Sequence, residues 1–294
     1  MITIDNLQHP MGSFSLLVGS LRLKPGLTLL VGPNGAGKTT LLELLATVQM
    51  PKRGTIMYQH RSSAEDLPLI RSQIGYLPAE IELYEDMTPL KLLAYLSELK
   101  GVFRLDRAKG LLHDFRLDDW QKTRISHLSQ GIRRRLAIAQ ALLAAPVFLF
   151  LDEPLNGMDS GERKLAISYL NRYAAGRTVI AAVHEMNEWE GAADRVIWLD
   201  GGKINFEGRT SLWTADLPHR IWEGTITIEQ FKSYPSQGLI VFREVEEGIY
   251  VKLVADTPPF SGLTEVSPML EDAYFVRKYN SLPGVPAGYE TDRR

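Results

Sequence analysis

The chain has 294 residues, 45% hydrophobic and 23% charged, which is enough for one large α/β domain and a smaller second one. Its 33 basic and 35 acidic residues leave a net charge of −2, no footprint for nucleic acid, and the absence of cysteine excludes disulfides and thiolate metal sites. The opening Met1-Ile2-Thr3-Ile4-Asp5-Asn6 lacks the segments of a signal peptide and no apolar run nears the roughly 18 residues of a membrane span, so a cytoplasmic chain is expected.

Residues 2 to 7 alternate apolar and polar, and residues 15 to 23 do so more loosely, so both read as strands leading to a turn at Pro25-Gly26. An aromatic side chain here would stack on a nucleotide base, and Phe14 is the candidate. Residues 27 to 31 form a short apolar run, expected to be a buried parallel strand, and residues 39 to 46 read as a helix. Between them lies Gly32-Pro33-Asn34-Gly35-Ala36-Gly37-Lys38-Thr39-Thr40, which fits the phosphate-loop pattern G-x-x-x-x-G-K-[ST]. Glycines let such a loop curl around a phosphate, and its N–H groups together with the following helix N-terminus attract the charge. In this pattern Lys38 bridges the β- and γ-phosphates of a nucleotide, and the Thr39 hydroxyl holds Mg²⁺.

A turn at residues 51 to 54 precedes a strand at 55 to 58, and a further strand over 74 to 78 ends at a proline. Leucines at helical spacing, Leu90, Leu93 and Leu96 among them, make residues 79 to 145 mainly helical. Ser129 is the expected N-cap of the last helix there, with Gly131 beside it and Arg133, Arg134 and Arg135 expected to face water or acidic partners. Residues 147 to 151 are the most apolar run, a central strand delivering Asp152 and Glu153 at its carboxyl end, where open α/β sheets bind ligands. After a helix over 160 to 174, a strand over 178 to 183 ends in His184, and strands at 195 to 199 and 203 to 206 complete the large domain. A hairpin over 239 to 254 turning at Gly248, and a short helix capped by Ser267-Pro268, are expected beyond it. The division expected is 1–215 for the nucleotide domain, with a helical part at about 79–145, then 216–278 for an accessory domain and 279–294 for a flexible tail.

The phosphate loop, the Leu128-Ser129-Gln130-Gly131 helix start, the strand ending Asp152-Glu153-Pro154 and the strand ending in His184 occur in one order that resembles the ATP-binding cassette (ABC) ATPases. The resemblance covers about residues 1 to 215. It implies an α/β P-loop fold with a mostly parallel core sheet, an antiparallel flank and a helical insertion. Asp152 is then expected to position Mg²⁺, Glu153 to be the general base on the attacking water, and His184 to hold Glu153 and the γ-phosphate in line. Ser129 and Gly131 would contact ATP held by a second cassette, with Asn156-Gly157-Met158-Asp159 crossing the interface, so a dimer is implied.

Three positions depart from the family pattern. Gln130 and Ile132 stand where Leu-Ser-Gly-Gly-Gln is usual, Ala79 replaces a glutamine that touches Mg²⁺, and the base-stacking tyrosine is replaced near Met11. Residues 74 to 78, Leu83-Tyr84, Met87-Thr88 and Ser267 to Tyr274 further resemble bacterial exporter ATPases of bacteriocin and peptide-antibiotic systems. The expected function is an ATP-hydrolysing motor bound to a separate transmembrane permease at the inner face of the membrane. A regulatory cassette with weak hydrolysis and a soluble ABC ATPase remain the alternatives.

Overall fold

The computed structural model describes residues 1–12, 14–101, 105–215 and 217–281, so most of the expected tail lies outside the described residues. Its contacts divide it into two units: Met1–His184 with Gly191–Glu207, and Glu185–Glu190 with the chain from Gly208 onward.

The first unit is built on a 10-stranded sheet. Its strands are β1 (Ile2–Met11), β2 (Phe14–Leu23), β3 (Gly26–Val31), β4 (Arg53–Tyr58), β5 (Arg61–Ser62), β6 (Ile74–Leu77), β7 (Phe148–Asp152), β8 (Thr178–Ala182), β9 (Arg195–Asp200) and β10 (Lys203–Arg209). They lie in the order β5-β4-β1-β2-β10-β9-β3-β8-β7-β6. β1 pairs antiparallel with both β2 and β4, whereas β3, β6, β7, β8 and β9 form parallel pairs. This is the mixed α/β architecture expected: a parallel core with an antiparallel flank. The parallel strands are buried along their length because helices cover them, as their continuous apolar runs require.

Register then fixes the site. Leu30 of β3 and Asp152 of β7 both lie opposite Ala182 of β8, so three neighbouring strands end level at their carboxyl ends. The phosphate loop, Glu153 and His184 all leave the sheet at this edge.

The helices are α1 (Lys38–Leu45), α2 (Leu67–Ser72), α3 (Pro89–Leu99), α4 (Leu105–Asp114), α5 (Gln130–Ala141) and α6 (Ser160–Tyr173). Leu41, Leu42, Leu44 and Leu45 bury the inner face of α1 in the main core, and the Tyr58 hydroxyl donates to the Leu45 carbonyl at its end. Thr88 caps α3, with Pro89 in the first turn, and Ser129 caps α5, accepting from the Ile132 N–H at 3.4 Å. Asp159 and Glu162 close a capping box on α6. At the other end of α5, Arg107 of α4 donates to the carbonyls of Leu142 and Leu143, each at 2.7 Å.

Of the arginines at the start of α5, two meet acids as expected, Arg133 with Glu85 at 3.1 Å and Arg135 with Glu162 at 2.8 Å, but Arg134 does not, and both Arg134 and Arg135 are buried, 6% and 7% exposed. Backbone carbonyls from distant loops take up their N–H groups, so burial leaves few donors unsatisfied.

The second unit holds a 4-stranded sheet in the order β12-β13-β11-β14. Its elements are α7 (Thr210–Thr214), β11 (Arg220–Ile226), α8 (Ile228–Ser233), β12 (Leu239–Val245), β13 (Gly248–Ala255), β14 (Thr264–Glu265) and α9 (Leu270–Asn280). The expected hairpin is β12–β13, although Gly248 opens β13 rather than lying in the turn. α9 begins later than Ser267-Pro268: Met269 is its N-cap residue, and Asp272 accepts from the Met269 N–H at 2.9 Å.

Candidate nucleotide site

Gly32 opens the loop after β3 because nothing larger fits. Its φ is +151°, and a Cβ there would lie 1.9 Å from the Leu199 carbonyl oxygen. Gly37, at φ +106°, turns the chain into α1 with Met11 packed directly over it. Asn34, Gly35, Gly37, Lys38, Thr39, Thr40, Met11, Asp152 and Glu153 line one cleft of about 210 Å³. Pro33 is half-buried and Ala36 buried, and the Ala36 carbonyl accepts from the Gly202 N–H at 3.2 Å, which anchors the loop to the turn before β10.

The Lys38 ammonium lies within the curl of the loop, donating to the carbonyls of Gly32 at 2.8 Å and Pro33 at 3.1 Å. Burial lowers its pKa, while the charges of Glu153 and Asp152 oppose that shift. The Thr39 hydroxyl donates to Asp152 Oδ2 at 2.6 Å. Burial pushes the Asp152 carboxyl up, the Thr39 hydrogen bond pulls it back, and the neighbouring Glu153 charge raises it again.

Glu153 has a positive φ of 47°, uncommon for a residue with a side chain, and its N–H donates to the Ala182 carbonyl at 3.0 Å. The kink turns its carboxylate out of the strand line. Oε1 lies 2.7 Å from His184 Nε2, and Oε2 accepts from the Asn156 side-chain amide. Burial raises the Glu153 carboxyl, but the hydrogen bonds from Asn156 and His184 outweigh it and hold the group below its ordinary value of 4.5. An ionised carboxylate with fixed direction, beside a cationic phosphate loop, is suited to accept a proton from water.

Phe14 is not part of this cleft. It is 37% exposed and its ring packs beside Gly202, whereas Met11, its partner in the β1–β2 register, covers the loop. Ser129 is exposed at the tip of α5 and Gly131 is buried beside Glu162, and neither lines the cleft. Gln130 lies against Gly157, whose lack of a side chain makes room for it, so the unusual residue is accommodated within the chain. Two residues that touch the site were not assigned from sequence: Asn156 on Glu153, and Arg134, which donates to the carbonyls of Asp152 and Glu153. Nothing in sequence spacing marks either the Asn156 bond to the Glu153 carboxylate or the Arg134 bonds to backbone carbonyls.

The donor set suits Mg²⁺. A hydroxyl and a carboxylate are hard oxygen ligands, and their small number leaves room for the waters and phosphate oxygens that this ion keeps. Among the described residues there is no group of three or more His, Cys, Asp or Glu that could hold a metal by itself.

A family model described as "ABC transporter" matches residues 19–156. The daunorubicin resistance ATP-binding protein DrrA3 of Streptomyces coeruleorubidus is 33% identical over 213 residues, 70% of this chain and 67% of that protein. The human phospholipid-transporting ATPase ABCA3 is 34% identical over 181 residues, 60% of this chain, and the chain spans only 11% of its length, as it does for the other mammalian relatives. Among solved structures, the dimeric post-hydrolysis state of the cassette MJ0796, bound to ADP and Pi, superposes with a TM-score of 0.63 at 24% identity, covering 71% of this chain and 98% of that one. At that identity the likeness is one of fold.

Proposed function

The chain belongs to the ATP-binding cassette ATPases of the ABC transporter family, and from that premise we propose that it is the motor subunit of a bacterial exporter. The observation that carries the reading is the Glu153 carboxylate, fixed by His184 and Asn156 at the edge of the cleft that holds Lys38, Thr39 and Asp152. Lys38 and the loop N–H groups bind the phosphates of ATP, Glu153 takes the proton of the attacking water, and His184 holds Glu153 in line. Thr39 and Asp152 are the residues that would hold Mg²⁺, which would supply positive charge against the phosphates of ATP. Met11, which lines the cleft where Phe14 does not, is the residue we assign to packing on the adenine of ATP.

Ser129 and Gly131 serve the site of a second cassette, so the working unit is a dimer, most simply of two copies, that closes on ATP and reopens on hydrolysis. A separate transmembrane permease, docked on the helical part at about 79–145, receives that motion. The cassette spans 1–215, 216–278 forms the accessory domain, and the chain is peripheral on the inner face of the membrane. No helix of the described residues is long and apolar enough to cross a membrane, in keeping with a separate permease. Export is supported by the resistance named for DrrA3, while the cargo is set by the transmembrane partner rather than by this chain.

ATP turnover of the purified chain with Mg²⁺, measured across protein concentration, tests this. The wild type is expected to rise faster than linearly, and Glu153→Gln to bind ATP but turn it over about 100-fold or more slowly. Lys38→Ala should lose nucleotide binding or turnover. A normal rate in Glu153→Gln removes Glu153 as the base, and full activity in Lys38→Ala removes the site.

A further inference from the structure

Arg134 lies in α5, 6% exposed, and forms no ion pair among the described residues. Its guanidinium instead spans two backbone segments. Nη1 donates to the carbonyls of Pro78 at 3.2 Å and Ala79 at 2.9 Å, while Nη2 donates to those of Asp152 at 2.5 Å and Glu153 at 2.7 Å, and Nε reaches Pro154 at 3.4 Å. A buried cation whose hydrogen bonds all go to backbone carbonyls is a costly way to stabilise a fold, because its desolvation is offset by those dipoles and by the Asp152 and Glu153 charges at longer range rather than by a direct ion pair. The planar fork does provide fixed geometry.

We propose that Arg134 is a positioning residue that ties the Pro78–Ala79 backbone to the turn bearing Glu153. Nη2 holds the peptides on both sides of the Glu153 Cα, which is the residue in the left-handed region. The direction in which its carboxylate leaves the strand therefore depends on this guanidinium. Ala79 carries only a methyl group, so the segment after β6 has no long side chain of its own there to reach the carboxylates. The clamp replaces such a reach with a backbone link: displacement of the 78–79 segment is passed to the hydrolytic turn. The inference rests on the reading of Glu153 as the base.

Arg134→Met and Arg134→Lys test it, with thermal unfolding followed for both. Turnover in Arg134→Met is expected to fall about 100-fold with KM for ATP within twofold of wild type, the scale of an ångström-sized misplacement of a reacting group. Arg134→Lys, which keeps the charge and some donors, should recover part of the loss. In a Glu153→Gln background Arg134→Lys should cause no further loss, because it acts through Glu153. Amide hydrogen exchange should quicken together in peptides covering residues 76–80 and 150–156. Quickening in one segment or neither, or an equal fold-loss of residual turnover in Glu153→Gln, overturns the proposal. Absence of turnover in the wild type would count against the hydrolytic reading, while the exchange result still decides the clamp.

Discussion

Gly131→Ala separates two reasons for a glycine at the start of α5. A Cβ at Gly131 would lie 2.2 Å from Oε2 of Glu162, so the Glu162 side chain has to swing away. That carboxylate is committed twice: it accepts from the Asp159 N–H at 3.1 Å in the cap of α6, and from Arg135 Nη2 at 2.8 Å. Losing the cap contact costs about 1 kcal/mol and the buried charge-assisted bond about 1.5–3 kcal/mol, from which the better helix propensity of alanine returns up to about 1 kcal/mol. The net destabilisation is about 1.5–4 kcal/mol, which lowers the melting temperature on the order of 2–4 °C per kcal/mol in a domain of this size. Thermal and urea unfolding of Gly131→Ala, Glu162→Ala and the double variant measure it. In the Glu162→Ala background the added methyl should cost almost nothing, since the clash is gone. An equal loss in both backgrounds, or no loss in the single variant, refutes the reasoning; dependence on Glu162 shows that the glycine is required by its own chain before any second cassette arrives.

His184→Ala removes the hydrogen bond and the positive charge that help hold the Glu153 carboxyl below its ordinary value of 4.5. The acid limb of the turnover profile should therefore move to higher pH, and a limb that stays in place would detach His184 from the base. The same depressed group contributes stability that is present above its unfolded pKa and lost as pH falls through the lower folded one; unfolding midpoints of wild type and His184→Ala should differ above about pH 4.5 and converge below that window. Asp272→Ala strands Lys252, which it meets at 2.6 Å in a largely buried pair, and also uncaps Met269; breaking such a pair costs about 3–5 kcal/mol. Urea unfolding monitored by tryptophan fluorescence should show that loss, and a shift under about 1 kcal/mol would mean the pair is effectively solvated.

The phosphate loop, the strand before it and the helix after it were legible because their constraints are local: glycine φ angles, a short apolar run and a helix start share fewer than twenty residues. Asp152, Glu153 and His184 were legible for a related reason, since each follows a strand too apolar to be anything but central. Arg134 was not, because burial of an arginine is decided by carbonyls that arrive from 18 to 56 residues away. Met11 and Phe14 are direct partners in the β1–β2 register, so the pleat does not separate them; composition favours the aromatic, but Met11 packs over Gly37 and lines the cleft while the Phe14 ring lies beside Gly202. β11 was missed because Gly224 interrupts a short run, and α2 because a six-residue helix with Pro68 in its first turn carries little periodicity.

The chain does not leave the first unit once and for good. Immediately after His184 it gives Glu185–Glu190 to the second unit, and only then returns to form β9. In that excursion the Glu190 carboxylate accepts from the Leu270 N–H and the Asn187 amide oxygen from the Glu271 N–H, both at 3.1 Å, satisfying orphan donors in the first turn of α9. Truncation after Glu207 would therefore not release an intact module. It would leave the Asn187 and Glu190 side chains without the helix they cap, a few residues along the backbone from the histidine on the base.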